Sequence, residues 1–155
     1  MNVHANSPLF ISPRDHRDLL MTIVRLRARV SRLLISELQR ASVTDQVDDD
    51  VVAMGRVVTF NLDGEDYGQP VTLVYPDEVG PGKVSVTSPL GAALLGLKSG
   101  SSLSFRTSRQ ERTVTVTSVA RPRSTLVSGR RRRSRPARSS MWRRIISLVR
   151  DRHRG

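Results

Sequence analysis

The stretch that most limits how this chain can fold is VTLVYPDEVGPGKVSVTSPLGAALLGLKSGSSLSF, from Val71 to Phe105. Apolar runs and turn residues alternate in it so that one order fits them: strand, turn, strand, short helix, turn, strand. Val71, Leu73 and Tyr75 share one face of an extended run, Thr72 and Val74 the other, and Pro76 closes it. Gly80, Pro81 and Gly82 supply turn chemistry, and Lys83 to Thr87 reads as a second short strand. Ser88-Pro89 is a helix start. The hydroxyl can accept an orphan backbone N–H, and proline loses nothing at the first helical position. Leu90, Ala93, Leu94 and Leu97 share one helical face, while Gly91 and Ala92 permit close approach to a sheet. Gly96 or Gly100 ends that helix, and Ser101 to Arg106 begins the next strand.

The flanks extend this plan. Residues 1–13 show no periodicity and read as a flexible arm. Over residues 14–43, Leu19, Ile23, Leu26, Val30 and Leu33 recur at helical spacing, with Leu34 and Leu38 widening the seam. No Gly or Pro falls between Arg14 and Ala41, so local chemistry alone permits one long helix. Residues 44–50, TDQVDDD, form an acidic linker. Asp48, Asp49 and Asp50 raise the question of a metal, but consecutive side chains on an extended segment point alternately and converge poorly on one ion. A solvated linker is the expectation. GRVVTFNL (Gly55–Leu62) opens a domain over 51–120, and Asp63-Gly64 is a turn signal. Arg112 to Ala120 alternates, with Val114, Val116 and Ser118 on one face and Thr113, Thr115, Thr117 and Val119 on the other. Five strands and one short helix in this order predict an α+β fold: a small twisted antiparallel sheet packed on that helix.

Charge divides the chain sharply. Residues 1–120 hold 13 Lys/Arg and 13 Asp/Glu; residues 121–155 hold 13 Arg and a single carboxylate, Asp151, so the whole net charge of +12 sits there. Like charges in a block repel, which predicts a disordered basic tail. It ends in MWRRIISLVRDR (Met141–Arg152), where Met141, Trp142, Ile145, Ile146 and Val149 fall on one face of a basic amphipathic helix. Arg130, Arg131, Arg132, Arg133, Arg135, Arg138, Arg143 and Arg144 are the candidate nucleic-acid contacts, through phosphate neutralisation. An anionic membrane surface is a second reading of the same residues, and a solvated extension without a partner is the third.

The sequence offers no enzyme constellation. His4, His16 and His153 lie in the arm, the helical segment and the tail, with no spacing that suggests a metal site or a base. Ser88 has no histidine to activate it, and the glycines around it lack the Lys-Ser/Thr of a phosphate-binding loop. No catalytic residue, metal or cofactor is expected. The chain has no cysteine, which excludes disulfides and thiolate chemistry and fits a cytoplasmic protein. No apolar run is long enough to span a bilayer, and no signal-like segment opens the sequence.

SPLGAALLGLKSGSSLSF, preceded by VTLVYP, resembles the C-terminal domain of the Gre transcript-cleavage factors, and Rnk-like members of that family more closely. ELQRASV (Glu37–Val43) and VVAMGRVVTF (Val51–Phe60) resemble the Rnk-like proteins in the same order, so the likeness covers roughly Asp15 to Ala120. It implies an FKBP-like sheet without the isomerase activity of that fold. It also implies a short helical hairpin broken near Arg25–Arg29. In Gre factors the loop before the short helix, Asp-Ser-Pro, docks beside the secondary channel of RNA polymerase. The matching positions here are Thr87, Ser88 and Pro89, with Thr in place of Asp. The hairpin tip of Gre factors carries carboxylates that help hold a catalytic metal, whereas this chain has Arg25, Arg27, Arg29 and Arg32. The resemblance therefore implies a polymerase-binding modulator of transcription that does not cleave RNA. The Rnk likeness also implies an alternative role, regulation of nucleoside diphosphate kinase. The tail lies outside the resemblance and supports a separate alternative, a nucleic-acid binder.

Overall fold

A computed structural model of the chain describes residues 9–26, 30–66 and 69–122. Beyond Pro122 the expected tail, with its terminal helix, lies outside the described residues.

Two helices form where the seam of leucines permits one: α1 (Pro13–Leu26) and α2 (Arg32–Gln39). Each start has its own cap. Ser12 Oγ accepts the Asp15 N–H at 3.1 Å, with Pro13 behind it, and Ser31 Oγ accepts the Leu33 N–H at 3.3 Å. Leu19, Val30, Leu34 and Leu38 of the seam are buried, and Ile23, Leu26 and Leu33 pack partly against the same core. The segment before α1 is not free where it is described. β1 (Phe10–Ile11) pairs in parallel with β2 (Ser42–Val43), through the Ser42 N–H to Leu9 O at 2.7 Å and the Thr44 N–H to Ile11 O at 2.9 Å. Leu9 and Ile11 are buried, so these residues of the expected arm belong to the fold.

The domain is a curled sheet of β3 (Val57–Leu62), β4 (Glu65–Asp66), β5 (Val71–Val74), β6 (Lys83–Ser85), β7 (Ser102–Arg106) and β8 (Glu111–Ala120), with α3 (Pro89–Leu94) between β6 and β7 in sequence. The strand order is β6-β5-β3-β8-β7, with β4 attached to β3. The sheet is mixed rather than antiparallel, because β5 and β6 run parallel, with Leu73 beside Val84. After Tyr75 a 3-10 turn, Pro76–Glu78, sends the chain back along β5 instead of folding it into a hairpin. The Lys83 N–H to Gly80 O and Thr72 N–H to Gly82 O bonds, at 3.0 and 2.8 Å, then fix the parallel register. Asp63-Gly64 does turn the chain, from β3 into β4, with Asp63 at φ 52.

The alternation of β8 is broken in a way that matters for the core. Val114 pairs with Leu62 and Val116 with Phe60, but Ser118 pairs with Thr59 and Val119 with Val58. Thr117 is therefore an extra residue, a β-bulge. It changes the parity, so that Val119 joins Val114 and Val116 on the side of β3 that carries the buried Val58, Phe60 and Leu62, and Ser118 leaves it. The strict period of two assigned these residues to opposite faces; the bulge corrects that assignment.

Leu73, Val84, Leu90, Leu94 and Leu34 complete this single apolar core with the β3 and β8 side chains. Each such side chain, fully buried, is worth about 1.5–3 kcal/mol of transfer free energy. Gly96, at φ 80, ends α3 and sits directly beneath the Leu9 side chain, where a Cβ would come within 1.9 Å of Leu9 Cδ1. Of the two expected stops, it is the one that closes the helix.

Candidate docking site

The loop from Ser85 to Pro89 leaves β6 and enters α3. Its side chains form a closed network: Ser85 Oγ and Thr87 Oγ1 share a hydrogen bond of 2.8 Å, and Ser85 Oγ accepts the Thr87 N–H at 3.2 Å. Ser88 Oγ donates to Ser85 O at 2.7 Å and accepts the Gly91 N–H at 3.0 Å. Two further bonds anchor the backbone. The Val86 N–H donates to Val74 O at 2.9 Å, and the Ser31 N–H, at the start of α2, donates to Thr87 O at 3.2 Å. The loop is thus held between β5 and the helical segment.

This network decides what each expected contact residue can offer. Thr87 and Ser88 are only 5% and 6% exposed, turned inward with their hydroxyls engaged. Pro89 is half-buried, and its ring is the part of the motif that faces outward in some measure. Ser12-Pro13 at the head of α1 makes the same cap through the same spacing. Both Ser-Pro pairs among the described residues are therefore helix starts, and the dipeptide alone carries no docking signal. Replacing Ser88 by alanine removes the acceptor for a buried N–H and the donor to a buried carbonyl, at an expected cost of about 1–3 kcal/mol. Urea denaturation checks this, and a loss below about 0.5 kcal/mol would contradict the network.

Tyr75 stands one residue past the Val74 carbonyl that anchors the loop, and its hydroxyl donates to Asp15 Oδ1 at 3.4 Å, joining α1 to the sheet. Burial first, then the carboxylates of Asp15 and Asp18, push its pKa well above the ordinary tyrosine value. The unfolded chain therefore loses this proton at a lower pH than the folded one. Stability contributed by neutral Tyr75 is fully present below about pH 10 and declines as the pH rises further. Tyr75→Phe should flatten that alkaline decline in a series of denaturation curves; an unchanged slope would remove Tyr75 as its source.

The acidic linker is held by cations of the chain itself. Asp48 and Asp50 approach Lys98 Nζ at 3.8 and 3.5 Å, and Asp49 accepts from Arg121 Nε at 2.9 Å. Arg56 reaches beneath the linker and donates to the carbonyls of Val51 at 2.6 Å, Val47 at 3.2 Å and Asp48. Exposed ion pairs of this kind are worth about 0–1 kcal/mol each, and the fork from Arg56 to backbone carbonyls is the firmer tie. Among the described residues no helix is long and apolar enough to cross a membrane.

Arg25 and Arg32 are exposed at the two ends that face the break between α1 and α2. Arg27 and Arg29 lie outside the described residues, as do the eight tail arginines named above. Sequence reasoning missed Ser31 and Ser85 as supports of the loop and Tyr75 as the tie between α1 and the sheet. Ser31 precedes an apolar helical run and has the chemistry of a cap; the other two gave no local signal.

Residues 47–121 match the family described as transcription elongation factor, GreA/GreB, C-term. A transcription elongation factor GreA from Roseiflexus sp. (strain RS-1) is 37% identical over 86 residues, which cover 53% of this chain and 54% of that protein. The chain thus spans about half the length of the curated relative it matches. A solved structure, a prokaryotic transcription elongation factor GreA/GreB from Nitrosomonas europaea, is 31% identical with a TM-score of 0.59. That match covers 72% of this chain and 98% of the solved one. Fold and matched residues agree, and this chain belongs to the GreA/GreB family, whose C-terminal domain residues 47–121 match.

Proposed function

We propose that this chain binds RNA polymerase beside its secondary channel and modulates transcription without promoting transcript cleavage. The observation that carries the second half is the charge at the helix break. Arg25 and Arg32 are exposed there, and no carboxylate occurs between Asp18 and Glu37. Metal-assisted cleavage of a phosphodiester needs oxygen ligands for Mg²⁺, and a guanidinium supplies none. Family membership and the Thr87-Ser88-Pro89 loop support the first half. On this reading Thr87 and Ser88 hold the loop, and Pro89 meets the partner.

The full chain is expected to bind core RNA polymerase, to bind about five-fold more weakly as Pro89→Ala, and to leave cleavage of a backtracked transcript at its basal rate. Acceleration of cleavage would overturn the non-catalytic reading, and equal binding of the Pro89→Ala variant would overturn the role of the loop. The confinement of the whole positive excess to residues 121–155 favours one second reading, a tail that engages nucleic-acid phosphates. Its mark would be duplex-DNA affinity that falls steeply with salt and disappears on removal of those residues.

A further inference from the structure

β7 ends the strand order, and its far side is unpaired main chain. Along an antiparallel pair, residues that exchange main-chain hydrogen bonds with the partner alternate with residues whose groups point away from it. Two bonds bracket that alternation between β7 and β8. The Val116 N–H donates to Ser101 O and the Thr107 N–H to Gln110 O, both at 2.9 Å. Leu103 and Phe105 therefore bond to β8, and the N–H and C=O groups of Ser102, Ser104 and Arg106 point outward. The side chains agree. Ser102 Oγ lies 2.7 Å from Thr115 Oγ1 and Ser104 Oγ 2.9 Å from Thr113 Oγ1, the close approach of pairs that exchange no main-chain bond. Among the described residues no strand other than β8 pairs with β7, and no proline, lysine or bulge within Ser102–Arg106 guards the edge. The opposite margin, β6, is shorter and carries Lys83.

We infer that this edge pairs antiparallel with β7 of a second copy of the chain, across a two-fold axis at Ser104. The edge is its own complement. With Ser104 facing Ser104, Ser102 of each copy faces Arg106 of the other, and the outward groups meet in register to form about six main-chain hydrogen bonds. Leu103 then stands beside Phe105 of the other copy, on the side of the sheet that carries the core. Arg106, the one charge on the strand, meets a hydroxyl and not another cation. Net charge does not oppose the pairing, because residues 1–120 hold equal numbers of cations and carboxylates. The +12 follows Ala120, seven positions along β8 from Thr113, the neighbour of Ser104. The two-fold axis sends the two β8 ends in opposite directions, on the order of 45 Å apart at Ala120, several screening lengths at physiological salt. An edge of 5 residues covers less than the roughly 800 Å² per partner of a standard interface, so the dimer is weak and forms at high micromolar concentration.

Sedimentation of the full chain from low to high micromolar concentration tests this. The mass is expected to rise from 17.3 kDa toward twice that value. Ser104→Lys sets two cations on the axis and should hold the chain at 17.3 kDa throughout, with the melting curve of the parent at the lowest concentration. The chain has no cysteine, so Ser104→Cys introduces a unique thiol. Its Cα should lie about 5.5 Å from that of the second copy, within disulfide reach. Mild oxidation should then cross-link it about ten-fold faster than Ser36→Cys, an exposed control on α2. A chain that stays at 17.3 kDa at every concentration overturns the inference. So does a dimer that Ser104→Lys leaves intact and Ser104→Cys links no faster than the control, which places the contact on another surface. If Ser104→Lys melts early, the cross-linking comparison alone decides.

Discussion

Gly91→Ala will destabilise the chain by about 3 kcal/mol or more, a large fraction of the stability of an ordinary domain. A Cβ at this position would sit 1.9 Å from Ser85 O, 2.7 Å from Ser85 C and 2.9 Å from Val86 Cα. All three atoms are backbone, so no rotamer change relieves the clash. Either α3 lifts away from the end of β6 or the loop moves. Both routes break the bonds that Ser88 makes to Ser85 O and Gly91 N. Gly80→Ala is the matched control, since nothing lies within 4 Å of its Cβ and its φ is not positive; it should stay within about 0.5 kcal/mol of the parent. Urea denaturation of the three proteins decides the matter. A Gly91→Ala curve lying within a few tenths of a molar of the parent midpoint would mean that α3 does not rest on β6 as described.

Phe60→Ala should cost about 3–5 kcal/mol. Phe60 heads the ranking by size among the fully buried side chains and lies just past the bulge, opposite Val116. Truncation empties the middle of the core between β3, β8 and α3, where the curled sheet cannot collapse without moving α3. Phe60→Leu fills most of that volume and should cost about 1–2 kcal/mol. Thermal unfolding followed by circular dichroism would rank parent, Leu and Ala in that order. An alanine variant that melts with the leucine one would show that the site relaxes freely.

Much of the fold could be read from local chemistry, because local chemistry decided it. Ser88, Pro89, Gly91 and Gly96 start, pack and stop α3, and each role belongs to the residue type itself. The Asp63-Gly64 turn and the buried leucine seam are of the same kind. The parallel pairing of β5 with β6 was hidden, since turn residues at 80–82 mark a change of direction but not the strand that the chain then joins. The bulge at Thr117 was hidden too. Nothing distinguishes that threonine from Thr113 or Thr115 until β3 is laid beside it. Leu9 and Ile11 looked unstructured because two-residue strands have no period to detect. At the candidate site the motif was visible but its orientation was not. Thr87 and Ser88 are polar residues whose burial depends on partners at Ser85 and Ser31, supplied by other elements.

The pairing of β3 with β8 also governs the order in which the protein can form. The Thr113 N–H that closes on Asp63 Oδ1 reaches across 50 positions of sequence, and Val57 finds Ala120 across more. Loop-closure entropy opposes such pairing until most of the chain is available, which slows folding. On the ribosome, β3 emerges with Val58 and Phe60 facing no sheet partner on one side, and it stays so until the last described strand follows. A nascent chain stopped before Glu111 would present an apolar strand with an open edge, a template for aggregation and a target for chaperones.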